Sequence, residues 1–246
     1  MSKIKIVLFS IICLLILNCN NNESEFPLDK RYWDAMDYSN AIRTIKLNYT
    51  TKETLPTFSD SQTRPIIEKL TDEQNYLVVL NDRELGLKHR SNVATDFFNR
   101  WRDMSSIYFI RDRKDNFIYE EEYLKVFHFG LGLQIMYFKI GNEEILERVD
   151  DPDAYQTKKV IRSNAQTIVN NFNHYLDEIN DENSYSEKGI FLFCDGIDKY
   201  FPKLINEFPE ADYSGMIKKI DLMDKKSNSQ KVKESLTKLK DLINNQ

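Results

Sequence analysis

What this chain lacks sets its first limits. Glycine appears seven times in 246 residues and proline six times, where ordinary usage gives roughly seventeen and about twelve. Sheet folds need such residues for a turn every eight to twelve positions or so. The long runs without breakers therefore favour helices. Cysteine is scarce too, at three: Cys13 and Cys19 lie in or beside an apolar leader, which leaves Cys194 without a disulfide partner. The fold must then be held by its core. Nucleophile and phosphate signatures are missing: there is no G-x-S-x-G, no glycine-rich phosphate loop, no Ser-x-x-Lys in a helical-nucleophile context and no H-E-x-x-H.

A basic surplus is also missing. There are 34 Lys and Arg against 39 Asp and Glu, a formal charge of −5. Nucleic-acid binding needs clustered cations that release counterions, so nucleic acid is excluded as a partner.

What is present begins at the N-terminus. Lys3 and Lys5 precede Ile6 to Leu17, twelve almost wholly apolar residues, in the order of a secretory signal peptide. As a helix this run spans about 18 Å, short of the roughly 30 Å hydrocarbon core. The following Ile16-Leu17-Asn18-Cys19 resembles the lipobox of bacterial lipoproteins, although that family prefers a small residue where Asn18 stands. The resemblance implies cleavage after residue 18 and a lipid-modified Cys19, carrying diacylglycerol and a further acyl chain such as palmitate. Two chains hold a protein stably on a bilayer where one does not. Loss of residues 1–18 removes Lys3 and Lys5 and no acid, moving the charge from −5 to −7. The resulting division is a signal peptide at 1–18, a lipid-anchored tether at 19–30 and a single helical domain at 31–246, with a C-terminal part from 225 more loosely attached. Asn20 is not the aspartate that retains such lipoproteins at the inner membrane in enteric bacteria, which favours the outer membrane.

Periodicity in the body is helical. Tyr38, Ile42, Ile45 and Tyr49 mark a helix over 31–47. Thr63-Arg64-Pro65 opens a short one, and Thr71 with Gln74 has the pattern of a capping box. Tyr76 to Leu80 reads as a helix or a short buried strand. Val93, Phe97, Trp101, Met104 and Tyr108 form one face of a helix within 82–110. Between Leu124 and Ile140 eleven of seventeen residues are large and apolar and cover more than one face, so a helix at about 117–149 is buried centrally. Gly130 and Gly132 inside it predict close approach of a neighbour. Further helices follow over 153–180, around Ile190 to Phe208 with Pro202 as a kink or restart, over 211–223 and around Val232 to Ile243. Residues 224–229 read as a flexible joint. The fold class is all-α, an irregular multi-helix bundle packed around the buried central helix.

Chemistry-bearing residues are few. His128 falls inside the central helix and reads as a satisfied core histidine. His174 could touch Glu178, and His89 reads as surface. The acidic stretch 177–187 fails the calcium-loop pattern because Glu182 stands at the glycine position. Glu120, Glu121 and Glu122 suit the positive end of the central helix, and Cys194 lies on an apolar stripe as a structural thiol. No catalytic, metal or cofactor site is expected, and Cys19 is the one modification site. These features point to a membrane-anchored envelope lipoprotein that binds another protein without catalysis, as an assembly accessory or a toxin-neutralising immunity lipoprotein does. Two alternatives stay open: a small-ligand-binding lipoprotein with a pocket beside the central helix, and a carboxylate-based hydrolase of envelope polymers.

Overall fold

The computed structural model describes residues 25–245, with 179–181 as backbone only. The stretch read as a signal peptide, residues 1–18, and Cys19 lie outside the described residues. The helices are α1 (Ala35–Lys52), α2 (Arg64–Leu70), α3 (Gln74–Leu80), α4 (Leu87–Tyr108), α5 (Glu120–Arg148), α6 (Tyr155–Asp177), α7 (Glu187–Glu207), α8 (Ser214–Lys226) and α9 (Gln230–Asn244), with a 3-10 segment at Glu178–Ser184. Among the described residues the one β pairing is an isolated bridge between Arg111 and Phe117. The bundle is all-α, as the scarcity of turn residues predicts. No described helix is long and apolar enough to cross a membrane.

The first helix starts later than its periodicity suggests because the residues before it are used differently. Trp33 is fully buried; its backbone N–H donates to Asn75 Oδ1 at 2.8 Å and its indole to the Pro27 carbonyl at 2.9 Å. Phe26 stacks on it, with ring centroids 6.5 Å apart. Residues 26–30, read from sequence as tether, are thereby folded onto the body. Asp34 then caps α1, accepting from the N–H groups of Met36 and Asp37 at 2.8 Å each, while Asp37 accepts from the Asp34 N–H at 3.2 Å. This is a reciprocal capping box with aspartate in both roles.

The box expected at Thr71 and Gln74 does not form. Thr71 still belongs to the end of α2: its N–H and its hydroxyl both donate to the Ile67 carbonyl, so the side chain is not free to cap α3. Tyr76 to Leu80 is helical in α3.

α5 is the central element, with buried residues on nearly every side. α4 lies antiparallel to it: Tyr108 meets Tyr119, Trp101 meets Phe127, and Phe98 stacks on Tyr137. The Trp101 indole also donates to the Val126 carbonyl at 2.9 Å. A Cβ at Gly130 would overlap the same indole, so this glycine is what lets α4 come close. On its other side α5 runs parallel to α7. Glu120 meets Gly189, His128 meets Gly196, and Gly132 meets Tyr200; Lys139 pairs with Glu207 at 2.7 Å. These pairs ascend together along both helices. α6 provides the return stroke, antiparallel to α5, with Asn164 on Asn142 and Asn171 on Gln134.

Pro202 does not restart α7, which continues through it. The C-terminal part from 225 is seated on α7: Val232, Leu236, Leu239 and Ile243 of α9 are buried in the same core cluster as α5 and α7. Its joint is tied down as well. Asn228 N–H donates to Glu182 Oε2 at 3.0 Å, and Ser227 is buried.

Candidate functional site

The start of α3, one face of α5 and the middle of α7 meet at a polar cleft of about 450 Å³, lined by Glu73, Lys125, His128, Asp195, Asp198 and Tyr200 among others. Glu73 arrives there because the α2–α3 turn places it immediately before Gln74. Lys125 and His128 are one turn apart on α5, and Asp195 to Tyr200 form the facing turn of α7. Parallel packing sets the two helical walls in register.

Glu73 is the hub. Its Oε1 accepts from Lys199 Nζ at 2.5 Å and from the Tyr200 hydroxyl at 2.6 Å. Burial pushes this carboxyl up, but the hydrogen bonds from Lys199 and Tyr200 outweigh burial and hold it below the ordinary carboxylate range. Burial, then the bond to Glu73, pushes the Tyr200 phenol up. Glu73 is therefore ionised and Tyr200 neutral near pH 7.

His128 forms the floor. Its Nε2 lies 2.9 Å from the Tyr175 hydroxyl, which donates its single proton to the Phe193 carbonyl at 2.9 Å. The imidazole tautomer sets which of the two partners donates in the His128–Tyr175 hydrogen bond. Burial, followed by the charges of Lys125 and Lys199, pulls the imidazole down to about 3. It stays neutral through the physiological range. A Cβ at Gly196 would overlap the Tyr175 hydroxyl, so that glycine admits the whole network. The arrangement holds fixed charges at a wall; it does not provide a proton shuttle with a pKa near 7.

The other residues singled out in the sequence fall elsewhere. His174 faces Asp177 at 3.7 Å, not Glu178, and His89 is exposed. Cys194 is fully buried on α7, and burial pushes its thiol up to about 11. Of the acids in 177–187, Asp177 takes Lys219 at 2.6 Å, Glu178 accepts from the Tyr185 hydroxyl at 3.5 Å and Glu182 accepts from the Asn228 N–H at 3.0 Å. Among the described residues no group of three potential metal ligands comes together.

Glu120 to Glu122 do more than face a helix dipole. Glu120 accepts from the N–H and hydroxyl of Ser186, at 2.8 and 2.6 Å, and Glu121 takes Lys188 at 2.5 Å. Glu122, buried, accepts from the Phe58 N–H at 2.7 Å. The three carboxylates thus pin the start of α7 and the loop before α2. Sequence reading missed the Glu73–Lys199–Tyr200 hub altogether, since more than a hundred positions separate its halves and no motif links them.

Comparison with protein-family models, curated proteins and solved structures gives no match for this chain. Its site must be read from its own chemistry.

Proposed function

We propose that this chain is a lipoprotein of the bacterial cell envelope, held on a membrane through acylated Cys19, with a helical body that binds another protein. The observation that carries the anchor is the order of Lys3, Lys5, the apolar run Ile6 to Leu17 and Cys19. Support for a binding role comes from the body. The groups that chemistry would recruit are committed to structure: Glu73 to Lys199 and Tyr200, His128 to Tyr175, Cys194 to the core. Large apolar side chains such as Tyr155, Phe109 and Phe191 stand exposed on its surface, the residue types enriched where proteins meet.

Fractionation of cells expressing wild type and Cys19→Ala tests the anchor. Wild type should stay with membranes after salt and carbonate washing and incorporate labelled palmitate, while the variant should do neither. A variant that remains in the membrane fraction refutes the lipid anchor. Crosslinking in intact cells tests the binding role: one protein recovered in comparable amount supports it, and no enriched protein refutes it.

A second reading, a small-ligand-binding lipoprotein, is favoured by the polar cleft beside α5. The hydrolase reading is disfavoured by the state of Glu73, whose carboxyl is held down where a general acid needs one raised.

A further inference from the structure

The charges around the cleft do not all cancel. Glu73 is paired with Lys199 at 2.5 Å, and Asp198 with Lys231 at 3.6 Å. Two cleft charges are left over: the side chains of Lys125 on α5, half-buried, and Asp195 on α7, exposed at the cleft rim, have neither an ion pair nor a hydrogen bond among the described residues. They do not pair with each other either, so a positive and a negative group stand on separate walls of one cleft.

Lys125 is half-buried, and no counter-charge is paired with it. It also stands at a saddle. Together with Thr71 it borders a second hollow of about 500 Å³, whose wall includes Leu28, Phe58 and Pro65. The hollow's own cation, Lys69, is engaged by the carbonyls of Lys30 and Arg31 at 2.6 Å each. A ligand anion reaching the saddle therefore meets one available ammonium, with the Asp195 carboxylate in one direction and, in the other, a hollow whose apolar stretch of Leu28, Phe58 and Pro65 is bordered by Glu68 and Asp72.

We propose that this double cleft binds a small amino-acid-like zwitterion, a free amino acid or dipeptide with an apolar side chain. The carboxylate sits on Lys125 Nζ, the ammonium on the Asp195 carboxylate, and the side chain against Leu28, Phe58 and Pro65. The inference rests on the small-ligand reading above and is independent of the protein-binding one. Both charges stand on helices packed in register, so neither has to be recruited from a mobile loop when the ligand arrives. Charge-assisted bonds at both ends give selectivity, because a neutral end leaves one wall group without its partner.

The test is calorimetric titration of the full chain in detergent at low salt with leucine, glycyl-leucine, N-acetyl-leucine, leucinamide and N-acetyl-leucinamide. At least one of the two free zwitterions should bind, and neutralising either end should weaken binding about tenfold or more. Lys125→Met should abolish the preference for leucine over leucinamide while keeping the preference over N-acetyl-leucine. Asp195→Asn should do the reverse, and Glu68→Gln, in the second hollow only, should change neither. Misfolding would not produce this crossed pattern. Binding of N-acetyl-leucinamide as tight as that of the zwitterions overturns the proposal but leaves a ligand-binding cleft; no binding by any member overturns both. Loss of amine selectivity in Glu68→Gln instead of Asp195→Asn overturns the assigned geometry.

Discussion

His128 makes this fold sensitive to mild acid in a calculable way. In the unfolded chain its imidazole titrates near the ordinary value of 6.5, whereas in the fold burial lowers it to about 3. Between those values the unfolded chain binds a proton that the folded chain refuses, so stability is full above about pH 6.5 and falls as pH drops. Integrating from pH 7 to pH 5 gives a loss of about 2 kcal/mol from this residue alone, approaching ~1.4 kcal/mol per pH unit at the lower end. Urea unfolding followed by circular dichroism at intervals from pH 7 to pH 5 measures the loss. His128→Gln supplies the control, because its side-chain amide can still hydrogen-bond to the Tyr175 hydroxyl but carries no titrating group. The wild-type midpoint should fall relative to the variant's across this range. Equal slopes in the two proteins, or a His128 resonance titrating near 6.5 in the folded state, would refute the reasoning.

Gly130→Ala should destabilise by about 1–3 kcal/mol in urea unfolding, since its methyl overlaps the Trp101 indole and threatens the bond to the Val126 carbonyl. Gly141→Ala, on the same helix with open space around it, should instead stabilise by about 0.5–1 kcal/mol. Glu122→Ala leaves the Phe58 N–H without its acceptor and should cost about 1–3 kcal/mol. Hydrogen exchange should rise in the loop between α1 and α2 more than elsewhere. Cys194, buried and with its thiol pushed up to about 11, should resist a thiol reagent at pH 8 in the native protein and react fully in denaturant.

The helices were legible because burial is periodic. In α4 the stripe Phe97, Trp101, Met104 and Tyr108 is the buried face, and α5 is buried on nearly all sides, as its apolar density implies. Helix starts were less legible, because caps depend on competition between neighbours. Thr71 looks like a cap until one sees that α2 already holds its hydroxyl, while the true box at Asp34 depends on where Trp33 must be buried. The cleft was the least legible part. Lys125 and Asp195 are ordinary charged residues in sequence, and only the pairing of the other charges lining the polar cleft, Glu73 with Lys199 and Asp198 with Lys231, makes them distinct. No local pattern encodes that remainder, because it is set by the register between α5 and α7.

The parallel pairing of α5 with α7 also dictates an order of assembly. Antiparallel neighbours such as α4 with α5, or α5 with α6, can close as the chain doubles back. The seam between α5 and α7 must wait until the whole of α6 has turned and the start of α7 has been brought back to Glu120. Such nonlocal contacts carry the entropy of closing a long loop and are made late. Residues from both sides of this seam line the cleft, so the site exists only in the last stage of folding. A chain emerging N-terminus first can thus complete most of its helices while still lacking the cleft proposed to take a small ligand.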